Sequence, residues 1–153
     1  MNGKKQRIYL AYGSNLHLGQ MSRRCPDAKR LGTAMLQDYQ LLFRGGRRGA
    51  VATVEPKKGN RVPVLLWTIS PRDERSLDYY EGYPFLYRKE TVTVNLNGKP
   101  TEAMVYIMND GRPLGRPSDF YYNTILQGYV DNGLDPAFLE QGVEDSVGGG
   151  DNE

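Results

Sequence analysis

The residues of this chain best suited to chemistry are one glutamate set among aromatic side chains and one tight turn of small polar residues. The glutamate is Glu81, within Tyr80, Glu81, Gly82, Tyr83, Pro84, Phe85, Leu86, Tyr87 and Arg88. Aromatic neighbours desolvate a carboxylate and raise its pKa toward neutrality, where one group can both take and return a proton. The turn is Gly13, Ser14 and Asn15, which follows the apolar run Tyr9, Leu10, Ala11, Tyr12. Backbone amides at such a turn point outward unpaired, and a helix starting there adds positive dipole, so the turn suits a carboxylate or another anion. An anion-holding turn together with a desolvated acid points to a small-molecule enzyme working by proton transfer. Each feature also has a plainer reading. Glu81 could be a solvated helix-end group, and the turn a strand-to-helix connection built from good capping residues. Tyr87 and Tyr121, taken alone, read as core residues.

The remaining inventory excludes several chemistries. There is one histidine, His17, and one cysteine, Cys25. A zinc site of nitrogen and sulfur ligands would need both, plus carboxylates. A Cys25–His17 dyad is set against Cys25 preceding Pro26 at a helix end, where cysteine behaves as a small hydrophobe. A Ser-His-Asp triad would have to use His17 without a nucleophile elbow. No phosphate-binding loop or dinucleotide fingerprint occurs, so no cofactor is expected. Arg44, Gly45, Gly46, Arg47, Arg48 and Gly49 resemble an RNA-binding arginine–glycine segment, but in a single copy that equally makes a basic hairpin loop.

Composition sets the frame. The 153 residues fit one domain with a real core, and 39% hydrophobic with 25% charged residues fits an ordinary globule. A formal charge of +2 does not by itself call for nucleic acid or a membrane. The single cysteine allows no internal disulfide, and the polar start followed by a short apolar run is not a membrane or signal helix, so the expected setting is the cytoplasm.

The elements that must position these residues can be read along the chain. Ile8–Tyr12 is predicted as a buried strand, followed by a short helix capped by Ser14 or Asn15, carrying Leu18 and Met21 and ending near Cys25 and Pro26. Tyr39–Arg44, Ala50–Glu55 and Val62–Ile69 are strand candidates separated by glycine, proline and charge clusters. Ser70, Pro71 and Asp73 have the form of a helix start, and that helix runs to about Tyr80. Asn97 and Gly98 join strands at Thr91–Val94 and Ala103–Met108 in a hairpin. Ser118 caps a last main helix with Tyr121, Ile125 and Tyr129 on one stripe, stopped at Gly133 and Leu134. Asp135 and Pro136 start one further turn, and from Val143 the acidic, glycine-rich chain reads as a disordered tail. The expected domain therefore spans 1–142, with 143–153 as tail. The order of elements implies an α+β fold, a small mixed, mostly antiparallel β-barrel with flanking helices, and it argues against a Rossmann-type alternation.

With both segments in view, the chain resembles the γ-glutamylcyclotransferase family, including γ-glutamylamine cyclotransferases and AIG2-like proteins. The resemblance covers most of residues 8–134. It rests on Tyr12, Gly13, Ser14, Asn15 and Leu16, on Glu81 and Gly82 followed by Tyr87 and Arg88, and on Pro117, Ser118, Tyr121, Ile125, Gly128, Gly133 and Leu134. It implies a small barrel of mixed strands, Glu81 as the catalytic acid/base, and a loop of Tyr9, Leu10, Ala11, Tyr12, Gly13, Ser14 and Asn15 that binds the γ-glutamyl group. Tyr87 and Tyr121 would line the pocket. The implied reaction turns a γ-glutamyl amide or peptide into 5-oxoproline and a free amine by attack of the substrate's own α-amine, without metal or cofactor. The implied partner is a small-molecule γ-glutamyl substrate, not nucleic acid or a membrane, with the protein a monomer or weak homodimer. The spacing from Glu81 to Tyr87 is more similar to the γ-glutamylamine and bacterial branches than to glutathione-degrading relatives. Two alternatives stand beside this one: a non-catalytic module binding γ-glutamyl groups or small anions on the same barrel, and an RNA-binding barrel using Arg44, Arg47 and Arg48.

Overall fold

The computed structural model describes residues 6–45 and 49–148. The central strand β1, Arg7–Ala11, turns apolar at its end, with Leu10 and Ala11 fully buried. It pairs antiparallel with β3, Val51–Ile69, and parallel with β5, Lys99–Met108. Strand β2, Lys29–Arg44, extends the sheet beyond β3, and β4, Tyr87–Leu96, extends it beyond β5. The order is β2-β3-β1-β5-β4, mixed and mostly antiparallel. The hairpin between β4 and β5 turns on Asn97 (φ 54°) and Gly98 (φ 83°), the left-handed pair that a tight two-residue turn requires.

The sheet curls but does not close, which corrects the expected barrel. No ladder joins β2 to β4. The two edges meet instead through side chains: a Cβ on Gly32 of β2 would lie 3.3 Å from Leu96 Cδ1 of β4. A second correction concerns the strands themselves. The candidates at Ala50–Glu55 and Val62–Ile69 are one strand, β3, and β2 begins ten residues earlier than Tyr39, at Lys29. The polar cluster between them is an irregularity within the ladder, where Asp38 (φ 64°) accepts a hydrogen bond from Gly59 N at 2.9 Å. The strand period is hidden in the first half of β2, since in Lys29–Gln37 only Leu36 is fully buried and the exposed residues do not alternate with buried apolar ones.

The helices pack around this sheet. Helix α1, Leu18–Arg24, is capped not by Ser14 or Asn15 but by His17, whose Nδ1 accepts from Gln20 N at 3.0 Å. Helix α2, Pro71–Glu81, begins on the expected capping box: Ser70 Oγ accepts from Asp73 N, and Asp73 accepts from Ser70 N. Helix α3, Asp119–Asp131, starts on Ser118 and buries Ile125 and Tyr129 completely. It stops as Gly133 (φ 67°) turns the chain and Leu134 N bonds Tyr129 O at 2.8 Å.

Helix α4, Pro136–Val147, is three turns rather than the single turn expected, and it runs through the start of the expected tail. Two small residues, Gly142 at the end of the expected domain and Ser146 in the expected tail, make its contact with β2. A Cβ on Gly142 would lie 2.9 Å from Leu41 Cδ2, so glycine lets the helix approach β2 closely. Buried Ser146 accepts from Phe43 N at 2.8 Å and donates to Gly142 O. Residues 149–153 of the expected tail lie outside the described residues. No helix among the described residues is long and apolar enough to cross a membrane.

Candidate active site

Strands β1, β3, β4 and β5, helices α2 and α3 and the turn after β1 converge on one cavity of about 270 Å³. Strand β1 runs out at Ala11 into Tyr12, and the chain then makes a single 3₁₀ turn, Ser14–Leu16, before α1. Among the described residues, the N–H groups of Gly13, Ser14 and Asn15 find no protein acceptor, as expected for an anion-holding turn. The expected dipole is a correction. A three-residue 3₁₀ turn aligns few peptide units, so attraction for an anion rests on those N–H groups instead.

Glu81 is the last residue of α2. Gly82 adopts the left-handed conformation (φ 69°), and Tyr83 N bonds Asp78 O at 3.0 Å, which ends the helix and turns the chain. The Tyr83–Pro84 peptide is cis, and Leu86 N bonds back to Gly82 O. This loop delivers Tyr87, the first residue of β4, to the same cavity. Helix α3 contributes Tyr121, and β3 contributes Val51 and Ala52.

The Glu81 carboxyl faces the cavity, and among the described residues no donor bonds it. Burial pushes its pKa up from 4.5 to about 7, against a smaller opposing pull from the Arg24 guanidinium. Around it, burial pushes the phenols of Tyr9, Tyr12, Tyr87 and Tyr121 far above their ordinary range, so they stay neutral. A neutral-pH acid surrounded by neutral hydroxyls is an arrangement for proton exchange rather than for charge pairing.

The tyrosine hydroxyls fix the walls. Tyr121 OH accepts from Ala52 N at 3.0 Å, and Tyr87 OH donates to Ala52 O at 2.5 Å. Tyr12 OH donates to Tyr106 O, and Tyr9 OH accepts from Asn15 Nδ2 at 2.9 Å. Tyr121→Phe strips the partner from a buried amide in β3. We expect that change to cost about 1–3 kcal/mol in urea unfolding. An unchanged midpoint would mean that water replaces the hydroxyl.

Of the residues expected from sequence, Tyr9, Leu10, Tyr12, Gly13, Ser14, Asn15, Glu81, Tyr87 and Tyr121 all line the cavity. Ala11 does not: it is buried in the core without lining the cavity, although it shares a strand face with Tyr9, because its methyl group is far shorter than the tyrosine side chain. Sequence reasoning missed Val51, Ala52, Tyr80, Leu86 and Tyr106 as wall residues. Tyr80 and Leu86 were within reach as neighbours in the Glu81 segment. Ala52 and Tyr106 come from strands whose local sequence carries nothing specific to a site.

The other candidates have structural employment. Burial pushes the Cys25 thiol up to about 12, and His17 is occupied as the cap of α1, so no dyad forms. Arg44 is held by Glu55 at 2.6 Å and by Arg112 O, while Arg47 and Arg48 lie outside the described residues. Among the described residues, no three His, Cys, Asp or Glu side chains gather where a metal could be held.

Comparisons with known proteins bear on the whole arrangement. The family described as Gamma-glutamyl cyclotransferase, AIG2-like, matches residues 9–124. A Gamma-glutamylcyclotransferase of Bos taurus is 32% identical over 136 residues, covering 83% of this chain and 72% of that protein. The Homo sapiens protein of the same name is 29% identical over 143 residues, covering 88% and 76%. A solved structure named Gamma-glutamyl cyclotransferase superposes with a TM-score of 0.78 at 29% identity, covering 90% of this chain and 86% of that one.

Proposed function

Because the chain belongs to the γ-glutamyl cyclotransferase, AIG2-like family, we propose that its cavity folds a γ-glutamyl amide back on itself and releases it as 5-oxoproline and a free amine. The observation that carries this reading is the placement of Glu81, with its raised pKa, in the same small cavity as the unpaired amides of the Gly13–Ser14 turn.

A γ-glutamyl amide holds its α-amine within reach of its own γ-carbonyl. Attack by that nitrogen on the carbonyl carbon closes a five-membered lactam, and the bond to the departing amine nitrogen breaks. The protein need supply no nucleophile. Its task is to hold the bent conformer, a contribution on the order of 7–11 kcal/mol in well-oriented intramolecular reactions. Glu81 as carboxylate takes one proton from the α-ammonium to free the attacking amine and gives it to the leaving nitrogen. It then takes the second proton, which the attacking nitrogen sheds on ring closure, and passes it to the departed amine, which leaves as an ammonium. The amides at Gly13 and Ser14 hold the α-carboxylate or the oxyanion that develops on the carbonyl. Tyr9, Tyr12, Tyr87 and Tyr121 shape a dry wall against which the substrate bends. The unit that does this includes α4 as well as the domain expected from sequence, and the lone cysteine, which permits no internal disulfide, supports a cytoplasmic setting.

A panel of γ-glutamyl amides assayed for 5-oxoproline tests the reading. At least one amide should turn over, and kcat/KM should rise with pH through a limb near 7, because the ionised form of Glu81 accepts the first proton. Absence of 5-oxoproline from every member of the panel would refute it.

A further inference from the structure

Arg24, on the last turn of α1, does not line the cavity, yet its side chain joins the two halves of the site. Its Nη1 donates to Asn15 Oδ1, and its Nη2 donates to Gln20 Oε1 at 3.1 Å. The guanidinium carbon lies 3.5 Å from the centre of the Tyr80 ring. Tyr80 OH and Ser14 Oγ share a hydrogen bond at 2.9 Å. The contacts therefore close a circuit: Ser14 to Tyr80, Tyr80 to Arg24, Arg24 to Asn15, which follows Ser14 in the chain. Tyr80 directly precedes Glu81.

We propose that Arg24 is a positioning residue, tying the acid-bearing end of α2 to the glycine–serine turn so that acid and anion site keep one fixed separation. Without it, Tyr80, the residue before Glu81 and 42% exposed, is held to the turn by a single hydroxyl bond. The planar fork suits this role, since it bonds two acceptors while its face stacks on a ring.

The chemistry of its partners adds a second consequence. Asn15, Gln20 and the Tyr80 ring are neutral, and among the described residues no carboxylate pairs with Arg24. Its positive charge is thus left uncancelled beside the site. The titratable groups around the Glu81 cavity are Tyr9 from β1 and Tyr12 just after it, Tyr80 from α2, Tyr87 from β4, Tyr106 from β5 and Tyr121 from α3, with Arg24 from α1 as the cation. Arg24 accordingly favours the ionised carboxylate that begins the reaction.

The inference rests on the proposed cyclotransferase reading for its kinetic arm, but not for its structural arm. Arg24→Gln should lower kcat by about ten- to a hundredfold, as misplacement of reacting groups does. It should also move the acid limb of the kcat/KM profile to higher pH. Arg24→Lys keeps the charge without the fork, so it should lower kcat comparably with the limb in place. Amide hydrogen exchange should quicken at residues 13–17 and 79–82 in Arg24→Gln and stay unchanged in β3. Should Arg24→Gln fail to fold, Tyr80→Leu breaks the same tie at a partly exposed position, and a lower kcat with an unmoved limb is expected. Wild-type kcat, KM and limb in Arg24→Gln, or full recovery of kcat in Arg24→Lys, would overturn the proposal. If the wild-type protein turns over no γ-glutamyl amide, the functional reading falls, and unchanged exchange at 13–17 and 79–82 then overturns the tie independently.

Discussion

Glu81→Gln is expected to lose turnover of γ-glutamyl amides by about 10²–10⁴-fold, the range typical of removing a general acid/base, while still folding. Glutamine preserves the shape of the side chain at the end of α2, so Gly82 still caps the helix and Tyr87 still enters the cavity. What disappears is the exchangeable proton. The same variant should be more stable than the parent above neutral pH, and the sign follows from the raised pKa. Below about pH 4.5 the carboxyl is protonated in both folded and unfolded chains and contributes nothing to their difference. Between 4.5 and 7 the unfolded chain releases the proton first, so folding is increasingly penalised, and above 7 the full penalty persists. Because the group still meets solvent in the cavity, we expect a gain on the order of 1–3 kcal/mol at pH 8, a rise of several degrees in Tm for a chain this size. At pH 4 the two proteins should melt together. Full turnover by Glu81→Gln would move the acid/base role elsewhere. A lower Tm at pH 8 would mean that the charged carboxylate has favourable partners and is not desolvated.

The site was more legible in the sequence than the sheet that carries it. Whereas Tyr87 and Tyr121 read locally as core residues and were implied only by the family resemblance, Glu81 and the Gly13–Ser14 turn declare themselves because turn chemistry, capping residues and an acid among aromatics are local patterns. Ser70, Pro71 and Asp73, and likewise Asn97 and Gly98, were readable for the same reason. Strand β2 was not. Its second half, Tyr39–Arg44, was expected, but its first half opens on three exposed residues, Lys29, Arg30 and Leu31, and buries only Leu36 fully, so that only pairing with β3 reveals it as strand. Helix α4 was obscured by composition: Gly142 and Ser146 lower helix propensity in isolation, but they make the close contact with β2 that holds the helix in place. The expected cap at Ser14 or Asn15 failed because their side chains have other partners. Both side chains are buried and spent on Tyr80 and Tyr9, which leaves the capping of α1 to His17.

The reliance of the turn on its surroundings leads to the second large effect, at a residue that touches no substrate. Gly128 lies buried in the middle of α3, where alanine would ordinarily stabilise a helix by about 0.8–1.0 kcal/mol. Here a Cβ would stand 2.5 Å from Leu16 Cβ, 2.6 Å from Leu16 C and 2.8 Å from His17 N. Two of those atoms belong to the backbone, so no side-chain rotation relieves the overlap. Either α3 or the turn must move. Asn132 Nδ2 on the same helix donates to Leu16 O at 2.9 Å, so the helix and the turn are also bonded together and cannot separate freely. Overpacking of this kind costs about 1–3 kcal/mol or more, which outweighs the propensity gain. Moving the turn also shifts Ser14 and Asn15 relative to Glu81, and moving α3 shifts Tyr121. Gly128→Ala should therefore lower both the unfolding midpoint and kcat, whereas Asn123→Ala, on the exposed face of the same helix, should leave kcat unchanged and raise stability slightly. Equal stability gains in the two variants would show that the turn yields easily, and a turn that yields easily could not hold an anion at a fixed distance from the acid.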